Sequence, residues 1–226
     1  IKTASQYARM AHTTVTQEHF EMCIDQYIRK ILPPIKQLSA QEQQNIATYQ
    51  AGQALATFLL KTSEQLIKVT TLPITKQIVE DHVWNKTEPK YHEAVEYGKC
   101  FTYHESDTLH LHGEEQLQAQ IKFLLAGFAA EKVINGSTTY SYYTRDKQEA
   151  LKLAKQLVFK GVDEKSIPKT MRDKKTECAI ELIEQYEEEM IKLLEQYKPL
   201  LERITEALLE KQILAADDIV AMMMAQ

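Results

Sequence analysis

The chain has 226 residues, 44% of them hydrophobic and 26% charged, with a formal net charge of −5 at pH 7. That length allows one good core and a small appendage, and the composition is that of an ordinary globular protein. The acidic balance gives no footing for a nucleic-acid partner, no apolar run approaches the length of a membrane span, and no signal peptide is visible.

Ile1 to His12 reads as a helix with Ala4, Tyr7, Ala8 and Ala11 as its apolar stripe. The chain opens inside that helical pattern, so it is expected to be a piece of a longer protein. Thr16 is the next predicted N-cap, and Phe20, Cys23, Ile24 and Ile28 predict the buried face of a helix reaching about Leu32. Pro33-Pro34 stops it as a semi-rigid linker, and the main domain begins near Ile35. Ser39 is an N-cap with Glu42 as its capping-box partner, and Ile46, Ala47, Gly52, Leu55 and Leu59 fall at helical spacing. Leu66 to Leu72 alternates polar and apolar residues and predicts a strand ended by Pro73; Tyr97 to Tyr103 is also strand-like. Glu114 to Ile134 predicts a helix bounded by Gly113 and Asn135-Gly136, and Asp146 to Lys160 another ended by Gly161. Thr176 to Tyr197 and Pro199 to Lys211 predict a helical pair, with Pro199 in a first turn. The expected fold class is therefore mostly α with a small β-sheet built from Leu66–Leu72 and Tyr97–Tyr103.

The segment with most chemical content is Tyr49-Gln50-Ala51-Gly52-Gln53. A helical zinc protease writes H-E-x-x-H: two histidines one turn apart bind the metal, and the glutamate is the general base. Here those positions hold Tyr49, Gln53 and Gln50. Taken alone, the segment reads as an ordinary core helix. The rival for chemistry is the histidine-rich stretch of His104, Glu105, Asp107, His110 and His112, with His82 and His92 upstream. His110 and His112 in a strand would share one face and could take a metal; otherwise they are solvated loop residues. Tyr140, Tyr142 and Tyr143 read equally as a contact patch or as a packed loop, and Glu187-Glu188-Glu189 as a solvated helix face. Cys23, Cys100 and Cys178 are far apart and odd in number, which points to a reducing compartment.

Further segments connect the degenerate motif to a family. Ala126-Gly127-Phe128-Ala129-Ala130-Glu131-Lys132 resembles the small-Gly-Arg-small-Ala-Glu-Glu helix of FtsH-type AAA proteases. Gly136-Ser137-Thr138-Thr139 is similar to their Thr-Thr-Gly loop, and Arg145-Asp146-Lys147-Gln148-Glu149-Ala150 to the helix opened by Asn-Asp. Thr176 to Leu214 resembles their C-terminal helical hairpin, ending in Leu208 to Leu214, and Val15-Thr16 to Asp25 the end of the AAA lid. The pieces follow the family's order over most of the chain. The resemblance implies AAA lid helices over 1–32, a linker over 33–38 and an FtsH-type peptidase-like domain over 39–226. It also implies that Asp146 stands at the third zinc-ligand position. Departures lie close to that site. The loop before Asp146 is about two residues long in excess, Phe128 replaces an arginine, Gln77 to Glu96 reads as an insertion, and the segment after Val158 is shortened.

With only Asp146 a competent ligand, no catalytic residue and no bound metal are expected: Tyr49 would have to ionise, Gln53 is a poor ligand, and Gln50 cannot accept a proton from water. The resemblance implies a pseudoprotease that serves as the hexamerisation platform of an AAA machine. Plastid family members that lack the motif imply roles in protein translocation or assembly. It implies FtsH-like partners in a homo- or hetero-hexameric ring, client polypeptides, and ATP with magnesium in an upstream ATPase. It further implies membrane anchoring through upstream segments and a reducing compartment facing a membrane, such as a bacterial cytoplasm, organelle matrix or stroma. The alternatives are an active zinc metallopeptidase with unusual ligands and a stand-alone interaction domain.

Overall fold

The computed structural model describes residues 2–10, 12–32, 38–60, 64–80, 90–104, 113–160 and 162–225. Its architecture is mostly helical with one three-stranded sheet. By contacts the chain divides into two compact units: Ile1–Gln37 with Leu72–Lys99, and Leu38–Thr71 with Cys100–Gln226.

In the first unit, helix α1 (Lys2–Met10) buries Ala4 and Ala8, two members of the predicted stripe. Helix α2 (Gln17–Tyr27) starts at the expected N-cap: the Thr16 backbone N–H donates to His19 Nδ1 at 3.1 Å, and Thr16 Oγ1 lies 2.7 Å from the same nitrogen. The helix ends at Tyr27 rather than near Leu32. Lys30 adopts a left-handed conformation (φ 57°), and Ile31 is drawn into an antiparallel bridge with Ile74. Arg29 turns back onto Asp25 and Glu21 at 2.6 and 3.3 Å. The predicted buried face is also corrected. Phe20 and Ile28 are exposed, and His19 is the buried residue, because the short helix turns its cap side inward. The Pro33-Pro34 linker lies outside the described residues.

Strand β1 (Glu64–Glu80) passes through Pro73 instead of ending there. The Leu32 N–H donates to the Pro73 carbonyl at 2.8 Å, and the Thr75 N–H to the Lys30 carbonyl at 3.1 Å. Proline keeps its carbonyl acceptor and gives up only its donor, so the pairing with Leu32 runs through the Pro73 carbonyl. Strand β2 (Lys90–His104) lies beside β1, so both ends of the expected insertion, Gln77–Glu80 and Lys90–Glu96, are strand.

The second unit is built on helix α3 (Ala40–Leu59), which is buried on every side from Ile46 to Ala56. Its start is the capping box read from sequence: Glu42 carboxylate accepts from the Ser39 backbone N–H and hydroxyl, each at 2.7 Å. Helix α4 (Glu114–Asn135) begins at Gly113 and ends at Gly136, whose φ of 67° is the left-handed cap that glycine adopts without strain. Helix α5 (Tyr140–Phe159) starts six residues before the expected Asp146, because Tyr140 to Arg145 contains no glycine or proline to stop it. Helix α6 (Lys169–Gln196), reached through a short 3-10 turn at Glu164–Ser166, begins after Pro168. Helix α7 (Lys198–Lys211) carries Pro199 in its first turn.

Strand β3 (Ile213–Ala215) and helix α8 (Ala216–Met224) are not legible in the local pattern. Gln212, left-handed at φ 60°, reverses the chain after α7, and the Thr71 N–H donates to its carbonyl at 2.9 Å. Leu214 then pairs antiparallel with Val69, both fully buried, on the side of β1 away from β2. One hydrophobic core joins α3, α4, α7 and the sheet through Leu55, Val69, Ala129, Leu201, Ile204 and Leu214; a second joins α4, α5 and α6 through Ile121, Leu125, Ala150, Ala154 and Ile183.

Candidate functional site, a buried hydrogen-bond cluster between α3 and α5

Helix geometry places Tyr49 and Gln53 one turn apart on the same face of α3. That face meets α5, and both side chains reach one carboxylate. Tyr49 Oη donates to Asp146 Oδ2 at 2.7 Å, and Gln53 Nε2 donates to the same oxygen at 2.9 Å. The other oxygen, Oδ1, accepts from Arg145 Nε at 3.1 Å. Tyr49, Gln53 and Asp146 are all buried, and Arg145 is half-exposed. Three positions named from sequence thus converge across 97 residues of chain. Asp146 does so from the second turn of α5 rather than from its first residue.

Electrostatics keeps the cluster in this form. Burial first, then the adjacent Asp146 charge and its hydrogen bond, hold the Tyr49 phenol well above its ordinary range. It therefore stays a neutral donor. Gln50 points elsewhere: it is buried, and the Cys100 thiol on β2 lies 3.6 Å from its backbone carbonyl and 3.7 Å from its Oε1. Burial pushes the Cys100 thiol far upward, so it too stays protonated.

Close helix packing makes the room. A Cβ at Gly127 of α4 would overlap the Tyr49 ring, and one at Gly52 would overlap Ala130 and lie 2.6 Å from the Ala126 carbonyl oxygen. Both glycines are needed for close approach rather than for a turn. Beside them, Glu131 is fully buried. Its Oε2 accepts from the Thr139 N–H at 2.7 Å, while Oε1 has no partner among the described residues. Burial raises its carboxyl above the ordinary value, and the Thr139 hydrogen bonds oppose that. Asn45 Nδ2 donates to Thr139 Oγ1 at 2.9 Å, and Asn135 Nδ2 donates to Asn45 Oδ1 at 3.2 Å. This network ties the turn before α5 to α3 and α4.

The donor set does not suit zinc. A catalytic zinc site uses about three protein ligands with lone pairs free to bind. Here the site offers one carboxylate, Asp146, whose Oδ2 already accepts from Tyr49 and Gln53, and neither a phenol nor a glutamine amide is an ordinary zinc ligand. Among the described residues no group of three or more His, Cys, Asp or Glu is arranged to hold a metal. Of the histidine-rich stretch, His82, Glu105, Asp107, His110 and His112 lie outside the described residues, as do the side chains of His92 and His104. The side chains of Tyr140, Tyr142 and Tyr143 are likewise outside them, although their backbone is helical. The acidic run is only partly solvated: Glu187 pairs with Lys147 at 2.8 Å and Glu189 with Lys122 at 2.7 Å, while Glu188 faces out. Sequence reading did not single out Arg145, Cys100 or Glu131 as members of this neighbourhood. The small pairs Ala51-Gly52, Ala126-Gly127 and Ala129-Ala130 are the local signals of close packing there.

Three ATP-dependent zinc metalloproteases are similar to this chain in sequence. The chain is 28% identical over 232 residues to the mitochondrial ATP-dependent zinc metalloprotease FTSH 3 of Oryza sativa subsp. japonica, covering 94% of this chain and 26% of that one. It is 24% identical over 237 residues to the ATP-dependent zinc metalloprotease FtsH 4 of Synechocystis sp., covering 94% and 35%. To the mitochondrial FTSH 10 of Arabidopsis thaliana it is 26% identical over 227 residues, covering 94% and 26%. The chain thus spans roughly a quarter to a third of the length of these relatives. No family model matches it. Over nearly its whole length, the chain is homologous to the FtsH family of AAA proteases.

Proposed function

We propose that this FtsH homologue is a pseudoprotease: a peptidase-like domain that has exchanged its zinc for a hydrogen-bond lock and serves as the assembly platform of an AAA machine. The observation that supports this is the double donation to Asp146 Oδ2 from Tyr49 and Gln53. Two polar hydrogens stand where a metal would have to bind, and they offset the buried carboxylate charge without a cation. Gln50 has no carboxylate to deprotonate a nucleophilic water, and its side chain faces Cys100 instead.

In this reading, residues 1–32 are the end of an AAA lid, 33–38 a linker, and 39–226 the peptidase-like domain. ATP and magnesium belong to an upstream ATPase. The partners are FtsH-like subunits in a hexameric ring together with client polypeptides, in protein translocation, assembly or quality control. Among the described residues no helix is long and apolar enough to cross a membrane, so any anchor belongs to other segments. The setting is a reducing compartment facing a membrane, an organelle matrix or stroma or a bacterial cytoplasm.

Elemental analysis of the purified chain, dialysed against micromolar zinc, tests the loss of the metal. The expected result is well under one zinc per chain, unchanged by Asp146→Ala. One tightly held zinc per chain that disappears with Asp146→Ala supports the active alternative and overturns the pseudoprotease. The triple change Tyr49→His, Gln50→Glu and Gln53→His should create a zinc site that depends on Asp146, because the frame already brings positions 49, 53 and 146 together.

A further inference from the structure

Charge in the second unit is segregated. Residues 145–175 hold ten Lys and Arg against five Asp and Glu, whereas residues 177–210 hold three against ten, in a chain whose net charge is −5. The basic stretch surrounds a cavity of about 380 Å³ at the end of α5, lined by Lys152, Lys155, Gln156, Phe159, Val162 and Glu164. Lys175 closes over the Phe159 ring at 5.2 Å, and Val162 is exposed. Lys152 and Lys155 are paired with Glu149 and Glu164. Lys160 and Lys165, adjacent to the lining in sequence, are exposed, and no ion pair involves them among the described residues.

The acidic stretch is equally ordered. On α6, Ala179, Ile183, Tyr186, Met190 and Leu194 are buried at helical spacing. Glu177, Glu181, Glu184, Glu188 and Glu195 repeat at the same spacing two residues out of phase, so they form a stripe on the opposite side and all are exposed. Glu187 and Glu189, on the flanks, are consumed by Lys147 and Lys122. Of the stripe only Glu188 has an ion pair among the described residues, a loose one with Lys192 at 3.8 Å. Ile180, itself exposed, lies beside Glu177, Glu181 and Glu184. The surface therefore offers a lysine-rimmed cavity with an apolar floor, and elsewhere a glutamate stripe with an apolar neighbour.

We propose that the cavity at the end of α5 receives the Glu177–Glu188 stripe of α6 from a second copy of this chain, with Ile180 over Val162. The contact joins two different patches, so it can be made head to tail, the heterologous arrangement that closure of a ring requires. This inference rests on the proposed ring assembly and names the faces that meet in it. Opposite charge across the contact sets its register and makes it salt-dependent.

The test is sedimentation of this chain at several concentrations in low and high salt. The parent should self-associate at low salt and be about tenfold or more weaker at high salt. Lys155→Glu with Lys160→Glu should abolish association, as should Glu181→Lys with Glu184→Lys. An equimolar mixture of the two variants should associate again, because one restored contact remains in each mixed pair. A parent that is monomeric at every salt concentration, or variants that associate like the parent, overturns the proposal. So does a mixture that stays monomeric while both variants melt at the parent's temperature. The ring reading is judged separately, by imaging the full-length protein: rings that survive both charge reversals leave it standing and remove only these faces. Basic-face variants that associate normally but lose a labelled poly-glutamate peptide would assign the cavity to a foreign acidic segment instead, and would likewise overturn the proposal.

Discussion

At Asp146 a single buried carboxylate oxygen takes hydrogen bonds from Tyr49 and Gln53. Removing one donor leaves the charge less compensated, which costs more than an average hydrogen bond contributes. Tyr49→Phe should therefore lower stability by roughly 1–3 kcal/mol, read as a drop in the urea midpoint without a change in slope. An unchanged midpoint would show that the lock contributes nothing. Glu131 makes the opposite case. Its carboxyl is raised by burial and has an oxygen with no partner among the described residues. A raised folded-state pKa means that its stabilising contribution is complete below the ordinary value of 4.5 and is lost as pH rises through the raised value. Glu131→Gln keeps an acceptor for the Thr139 N–H and removes the titration. The variant should match the parent in acid and become the more stable of the two as pH approaches neutrality. Thermal melts across that window check the sign.

At the scale of elements, α3 and α4 approach through Gly52 and Gly127, and the Tyr49 ring occupies the space that Gly127 leaves. Gly127→Ala should cost about 1–3 kcal/mol by overpacking. Most of that cost should vanish when Tyr49 is already alanine, giving a coupling energy of about 0.5–3 kcal/mol in a double-mutant cycle. Additive effects would mean that the ring does not depend on the missing side chain. The same contact explains why a tyrosine fits where the H-E-x-x-H pattern has its first histidine: the larger ring is seated by a glycine on the facing helix. Helix α5 adds a second lesson. The network of Glu131, Thr139, Asn45 and Asn135 fixes the turn before it, Tyr140 to Arg145 form its first turns, and Asp146 reaches α3.

For the whole molecule, homology to FtsH proteases extends over 94% of the chain. Two cores hold α3 to α8 and the sheet together. If assembly is what remains, the full-length protein imaged with ATP should form a ring with this domain as one tier. A monomer in which the domain touches no neighbour would leave the stand-alone interaction reading. Chelation should leave the melting temperature of the chain unchanged within error; a loss of several degrees would reveal a structural metal.

The amino-acid sequence by itself determined what depends on near neighbours. Apolar spacing specified most helices, Ser39 with Glu42 and Gly113 with Gly136 specified starts and stops, and Tyr49, Gln50 and Gln53 specified where the sequence departs from the H-E-x-x-H pattern. Tertiary structure alone decided the rest. It ended α2 at Tyr27 because Ile31 was needed opposite Ile74, carried β1 through Pro73, and made a strand of Ile213–Ala215 against Val69. It also brought Arg145 to Asp146, Cys100 to Gln50 and Glu131 to Thr139 within one neighbourhood. The reason is physical. Caps and periodicity act within a turn or two of chain, whereas strand pairing and buried polar partners are settled by which groups must be satisfied once distant segments exclude water.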